Sequence, residues 1–90
     1  MPFTIDNRHF RLVVASDVNP RDGLGWELWE GPTLLLELFR HDDLKKITFS
    51  TFHQGIDIPF EALEYVLNDF NNTGGRTFIE DFVEEPTDPE

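Results

Sequence analysis

The stretch "GWELWEGPTLLLELFRHDDLKKITFSTF", residues 25 to 52, constrains the fold more than any other part of the chain. It reads as three β-strands joined by two short turns, with Gly31-Pro32 at the first and His41-Asp42-Asp43 at the second. Trp26, Leu28, Leu34, Leu36 and Leu38 alternate along one side. The opposite side also carries large apolar residues, namely Trp29, Leu35, Phe39 and Phe52. A sheet with two such faces needs cover on both, whereas only one convincing helix follows.

Register between these strands follows from keeping the apolar sets together, because a slip of one residue moves every side chain to the wrong face. Leu38 opposite Ile47 and Leu36 opposite Phe49 satisfy this for the last two strands. Leu28 opposite Leu34 and Trp26 opposite Leu36 satisfy it for the preceding pair. Behind that core lies a mixed face in which Glu27, Glu37, Lys46, Thr48 and Ser50 accompany Trp29, Leu35, Phe39 and Phe52. The same register gathers Trp29, Leu35 and Phe52 around Thr33 into an apolar patch.

An earlier strand spans residues 9 to 16, where β-branched residues and alternation coincide in "HFRLVVAS". The preceding "FTI" either extends it or forms a short extra strand. "DVNPRDG" is turn chemistry: proline restricts the residue before it, and Asp22-Gly23 admits a positive φ. The helix lies in "DIPFEALEYVLNDFNNTGG". Pro59 suits its first turn, Asp57 and Glu61 suit the positive end of its dipole, and Gly74 or Gly75 ends it. Phe60, Leu63, Val66, Leu67 and Phe70 form its apolar stripe.

The expected fold is therefore α+β: a four-stranded antiparallel meander with one C-terminal helix packed on one face. Residues 1–76 form a single small domain, and 77–90 an acidic C-terminal segment. Its first half, "TFIEDFV" at residues 77–83, has the composition to return as a fifth strand or to lie over the second face. "EEPTDPE" reads as a solvated tail.

Charge bounds the function. Eighteen acids face seven bases, a net charge of −11. Residues 57 to 90 carry ten of the acids, from Asp57 to Glu90, against Arg76 alone. Such a field repels nucleic acid and anionic membrane and attracts basic proteins. The bland counterpart is solubility, which net charge also serves. With no cysteine, disulfides and thiolate metal sites are excluded. No apolar run is long enough to span a bilayer and no secretion signal is evident, so a cytoplasmic location is expected.

No pattern argues for catalysis. His41, Asp42 and Asp43 are metal-ligand types, but neighbours in a turn point in different directions and all three are ordinary turn residues. His9 and His53 stand at strand ends without a nucleophile or carboxylate partner at recognisable spacing. No glycine pattern resembles a phosphate cradle. The expectation is a non-enzymatic module with no metal and no cofactor.

Trp29, Leu35, Phe39 and Phe52, joined by Phe78 and Phe82 of the terminal segment, are the candidate partner-binding residues. The leading expectation is a small acidic interaction module or inhibitor that engages a basic protein. Bacterial immunity proteins and antitoxins have this general character of size and composition. The alternative is a homodimeric structural or small-ligand-binding protein whose second sheet faces pack together.

Overall fold

The computed structural model of the protein describes residues 1–17 and 21–78. Five antiparallel strands form one sheet in sequential order: β1 Pro2–Ile5, β2 Arg8–Asp17, β3 Gly23–Glu30, β4 Thr33–His41 and β5 Lys46–Thr51. One helix, α1 Phe60–Asn72, packs on the sheet. This is the α+β meander with a C-terminal helix, and the fifth strand comes from the N-terminal "FTI". Of residues 77–83, also expected as a possible fifth strand, Thr77 and Phe78 are in no strand and 79–83 lie outside the described residues.

Strand β1 exists because Asp6 and Asn7 both adopt positive φ, 53° and 63°. Two such residues make the tight turn whose twist matches antiparallel strands. Met1 continues the pairing: its ammonium donates to the carbonyl of Leu12 at 2.9 Å, and its own carbonyl accepts from Leu12 N–H at 3.0 Å. A two-residue turn with Gly31 at φ 57° joins β3 to β4.

Most of the core face is the one alternation selects, but the β4–β5 register and the Gly23–Leu28 part of the β3–β4 register are displaced from the expectation by two residues. Leu28 pairs with Leu36 rather than Leu34, and Trp26 with Leu38 rather than Leu36. Leu38 pairs with Phe49 rather than Ile47, and Leu36 with Thr51 rather than Phe49. A two-residue slip preserves faces, so pattern alone cannot detect it.

The β3–β4 ladder also shifts between Leu28 and Trp29, leaving Leu35 without an opposite residue. Such a bulge turns two successive side chains to one side. Leu35 and Leu36 are both in the core, 2% and 1% exposed. Leu35 thus leaves the second face to which simple alternation assigns it, and Leu34, expected on the core side, instead stands opposite Trp29 on the second face.

The helix runs along the strands. At its start, Arg8 donates to the Asp57 carbonyl at 2.7 Å. At its end, buried Arg40 donates to the Gly74 carbonyl at 3.0 Å. Between them, Ala62, Val66 and Phe70 are buried against the sheet. Phe70 meets Trp26 edge-on at 4.8 Å, and Trp26 Nε1 donates to Asp69 at 3.1 Å. Tyr65 stacks on Phe3 of β1 at 4.0 Å. Phe60, expected in the apolar stripe, is 67% exposed, and Pro59 is the N-cap rather than a first-turn residue. No helix among the described residues is long and apolar enough to cross a membrane.

Candidate interaction surface

Among the described residues, what covers the second face is local and mostly polar; the expected cover by residues 77–83 lies outside them except for Thr77 and Phe78. Phe39 is 2% exposed there. It pairs with Gly25, whose missing side chain leaves room for the Glu37 carboxylate and the Phe39 ring. Arg21 lies over that ring, its guanidinium carbon 3.8 Å from the centroid. From this position it donates to Glu37 at 2.8 and 3.2 Å and to Asp17 at 3.1 and 2.9 Å. Its bond to Glu37, followed by that to Asp17, holds the Arg21 guanidinium above its ordinary pKa. His41 closes the ring's other flank at 4.6 Å and shares a 2.9 Å hydrogen bond with Thr48.

Trp29 is half-buried on the same face. Arg11 stands over its ring at 5.0 Å, and its Nε1 donates to Glu27 at 2.9 Å. Phe52 follows β5 at the sheet's end and is exposed. Phe78 is half-buried, with Lys45 Nζ 5.9 Å from its ring. Phe82 lies outside the described residues. The structure therefore does not gather Trp29, Leu35, Phe39 and Phe52 into one exposed patch: Leu35 belongs to the core and Phe39 sits beneath Arg21.

Open apolar surface occurs elsewhere. Val14, Trp26, Leu38 and Phe49 stand in one row across the core face. The middle two are buried, whereas Val14 is 46% and Phe49 56% exposed. A helix about 10 Å wide covers two or three strands spaced about 4.8 Å apart, not five. The inner side of β5, comprising Ile47 and Phe49, consequently stays open. This shortfall was available from sequence, as one helix against a sheet of at least four strands implies a bare strip.

A second open region is the link from β5 into α1. Phe52, Ile56 and Phe60 are exposed within nine residues of chain, and Asp57, Glu61 and Glu64 beside them are exposed carboxylates. The Arg8 bond to Asp57 ties this segment to the sheet. Arg8 in turn pairs with Glu30 at 2.7 Å, and that bond holds the Glu30 carboxyl below the ordinary glutamate range.

Among the described residues, no group of three His, Cys, Asp or Glu side chains is placed to hold a metal ion. Asp42 instead faces buried Arg40, at 2.9 Å from its Nε. A shallow cleft of about 310 Å³ is lined by Met1, Tyr65, Asn68, Asp69 and Asn72. It brings one carboxylate together with two amides and a phenol, without a nucleophile–base pair. No family model, curated protein or solved structure matches the chain.

Proposed function

We propose that the protein is a non-enzymatic interaction module, a small acidic binder or inhibitor of a basic protein, with residues 52–64 as its contact surface. The carrying observation is the exposure of Phe52, Ile56 and Phe60 in the same segment as Asp57, Glu61 and Glu64. Burying two phenylalanines contributes about 1.5–3 kcal/mol each. An apolar centre within a polar rim is the usual anatomy of a contact surface. The carboxylates, in a chain of net charge −11, accelerate encounter with a positively charged surface.

The test is capture from an extract of the native source by immobilised protein, comparing wild type with Phe60→Ser under stepped salt. Phe60 is 67% exposed, so the substitution leaves the core intact. A basic protein held by wild type, lost by the variant and released by salt supports the reading. Binding indifferent to both Phe60 and salt would refute it.

A further inference from the structure

We infer that strand β5 is a self-pairing edge: two copies of this chain join their β5 strands antiparallel about a two-fold axis at Phe49, forming one ten-stranded sheet. This rests on a different surface from residues 52–64 and stands or falls separately.

Among the described residues β5 pairs only with β4, so its other side is an open row of backbone donors and acceptors. Which residues present that row follows from one hydrogen bond. Phe52 N–H points to β4, donating to the Leu35 carbonyl at 3.2 Å. Backbone groups alternate sides along a strand, so Ser50, Thr48 and Lys46 also face β4. Ile47, Phe49 and Thr51 therefore direct their N–H and C=O groups outward.

An antiparallel partner must oppose outward residues to outward residues. For a second copy, the register centred on Phe49 does this completely: Phe49 faces Phe49, and Ile47 faces Thr51 twice. Each opposed pair exchanges two hydrogen bonds, giving about six across the junction. A register shifted to centre on Thr48 opposes Ile47 to Phe49 and retains only about four from these residues.

The side chains suit the same register. The inner faces continue from one copy into the next, bringing exposed Phe49 against Phe49 and exposed Ile47 against Thr51. On the other face, Thr48 opposes Ser50. Residues 44–56 contain no acid and both lysines of the chain, the longest acid-free run in a molecule of net charge −11. Two copies that repel elsewhere meet here without opposing carboxylates. Edge strands are commonly protected by charged side chains, especially lysine, by proline or by bulges, and β5 carries only Lys46, at its first residue, and no proline.

The contact is a single six-residue strand with few large side chains, below the size of a standard interface, so the association is weak. Sedimentation equilibrium of the full chain should show mass approaching twice the monomer between about 10 µM and 1 mM. F49E and F49K, at a 56% exposed position, should each fold with the wild-type circular dichroism and remain monomeric. An equimolar mixture should recover the dimer, because only a two-fold at residue 49 opposes glutamate to lysine. The inference is overturned if wild type stays monomeric to 1 mM, if F49E dimerises like wild type, or if the mixture stays monomeric. A wild-type monomer whose Ile47, Phe49 and Thr51 amides resist hydrogen exchange would assign the edge to another part of the chain and equally overturn it.

Discussion

Replacing Arg21 with alanine tests whether the second face is closed by one guanidinium. The substitution removes two hydrogen bonds to Glu37, two to Asp17 and the cation over Phe39. Glu37 is 5% exposed, so its carboxylate loses its counter-charge where water reaches it poorly. Hydrogen bonds to charged groups contribute about 1.5–3 kcal/mol. Arg21 is itself 38% exposed, so solvent screening favours the lower part of that range, and the Asp17 pair at the surface adds little. With about 0.5–1 kcal/mol from the cation–π contact, the loss is about 2–3 kcal/mol. Urea denaturation followed by tryptophan fluorescence measures it, and the melting temperature should fall by about 10 °C. In a Glu37→Gln background the same substitution should cost about 1 kcal/mol, leaving about 1–2 kcal/mol of coupling. A cost below about 0.5 kcal/mol in wild type, or additivity with Glu37→Gln, would refute a second face sealed by this ion pair.

The Arg8–Glu30 pair gives a pH dependence of defined sign. Glu30 is depressed in the folded state, so its contribution is complete above the ordinary glutamate range and is lost as pH falls through that range to the depressed value. The stability gap between wild type and Arg8→Gln should be constant at neutral pH and shrink on acidification; a gap that widens contradicts the assignment. Arg40→Met should cost about 3–5 kcal/mol by chemical denaturation, because it removes the buried cation from Asp42 and the donor from the Gly74 carbonyl. Wild-type stability in that variant would show that Arg40 does not fasten α1. Gly23→Ala should destabilise by about 3 kcal/mol, since an added Cβ meets the backbone carbonyl of Arg40 across the β3–β4 pair. The same midpoint as wild type would rule out that close approach.

Alternation alone puts Trp26, Leu28, Leu36, Leu38, Ile47 and Phe49 on one face, because side-chain direction along a strand has period two, and it fails for Leu34, which the bulge moves to the side of Trp29. The pairing itself depends on turns and bulges, and the bulge at Leu35 is invisible in "TLLLELF", where either neighbour is an equally apolar candidate. Asp6-Asn7 was a legible turn signal, both residue types tolerating positive φ, and it decides between extending β2 and making β1. The cover over Phe39 was not legible. It depends on Arg21 reaching Asp17, Glu37 and an aromatic ring at once, and on glycine at position 25 making room. The surface in residues 52–64 was half legible: Phe52 stood out as an aromatic, whereas Phe60 read as core because helical spacing does not show where the sheet beneath it ends.

Most of the arginines are spent inside the fold, and this gives the two surfaces opposite responses to salt. Arg8, Arg21 and Arg40 form ion pairs with Glu30, with Asp17 and Glu37, and with Asp42, while Arg11 lies over Trp29. Asp57, Glu61 and Glu64, in contrast, form no ion pair among the described residues. The field at the start of α1 is accordingly negative, whereas the β5 edge is acid-free. Salt shortens the range of both fields, from about 10 Å at 0.1 M to about 3 Å at 1 M. A complex between residues 52–64 and a basic protein then loses attraction, and its association rate should fall. Two copies meeting at β5 instead lose the repulsion between their −11 charges, and their association should strengthen. Titrating salt while following partner binding by surface-based kinetics and self-association by sedimentation measures both. Responses of the same sign would mean that the two contacts are not separated by charge, and one of the surface assignments would then be wrong.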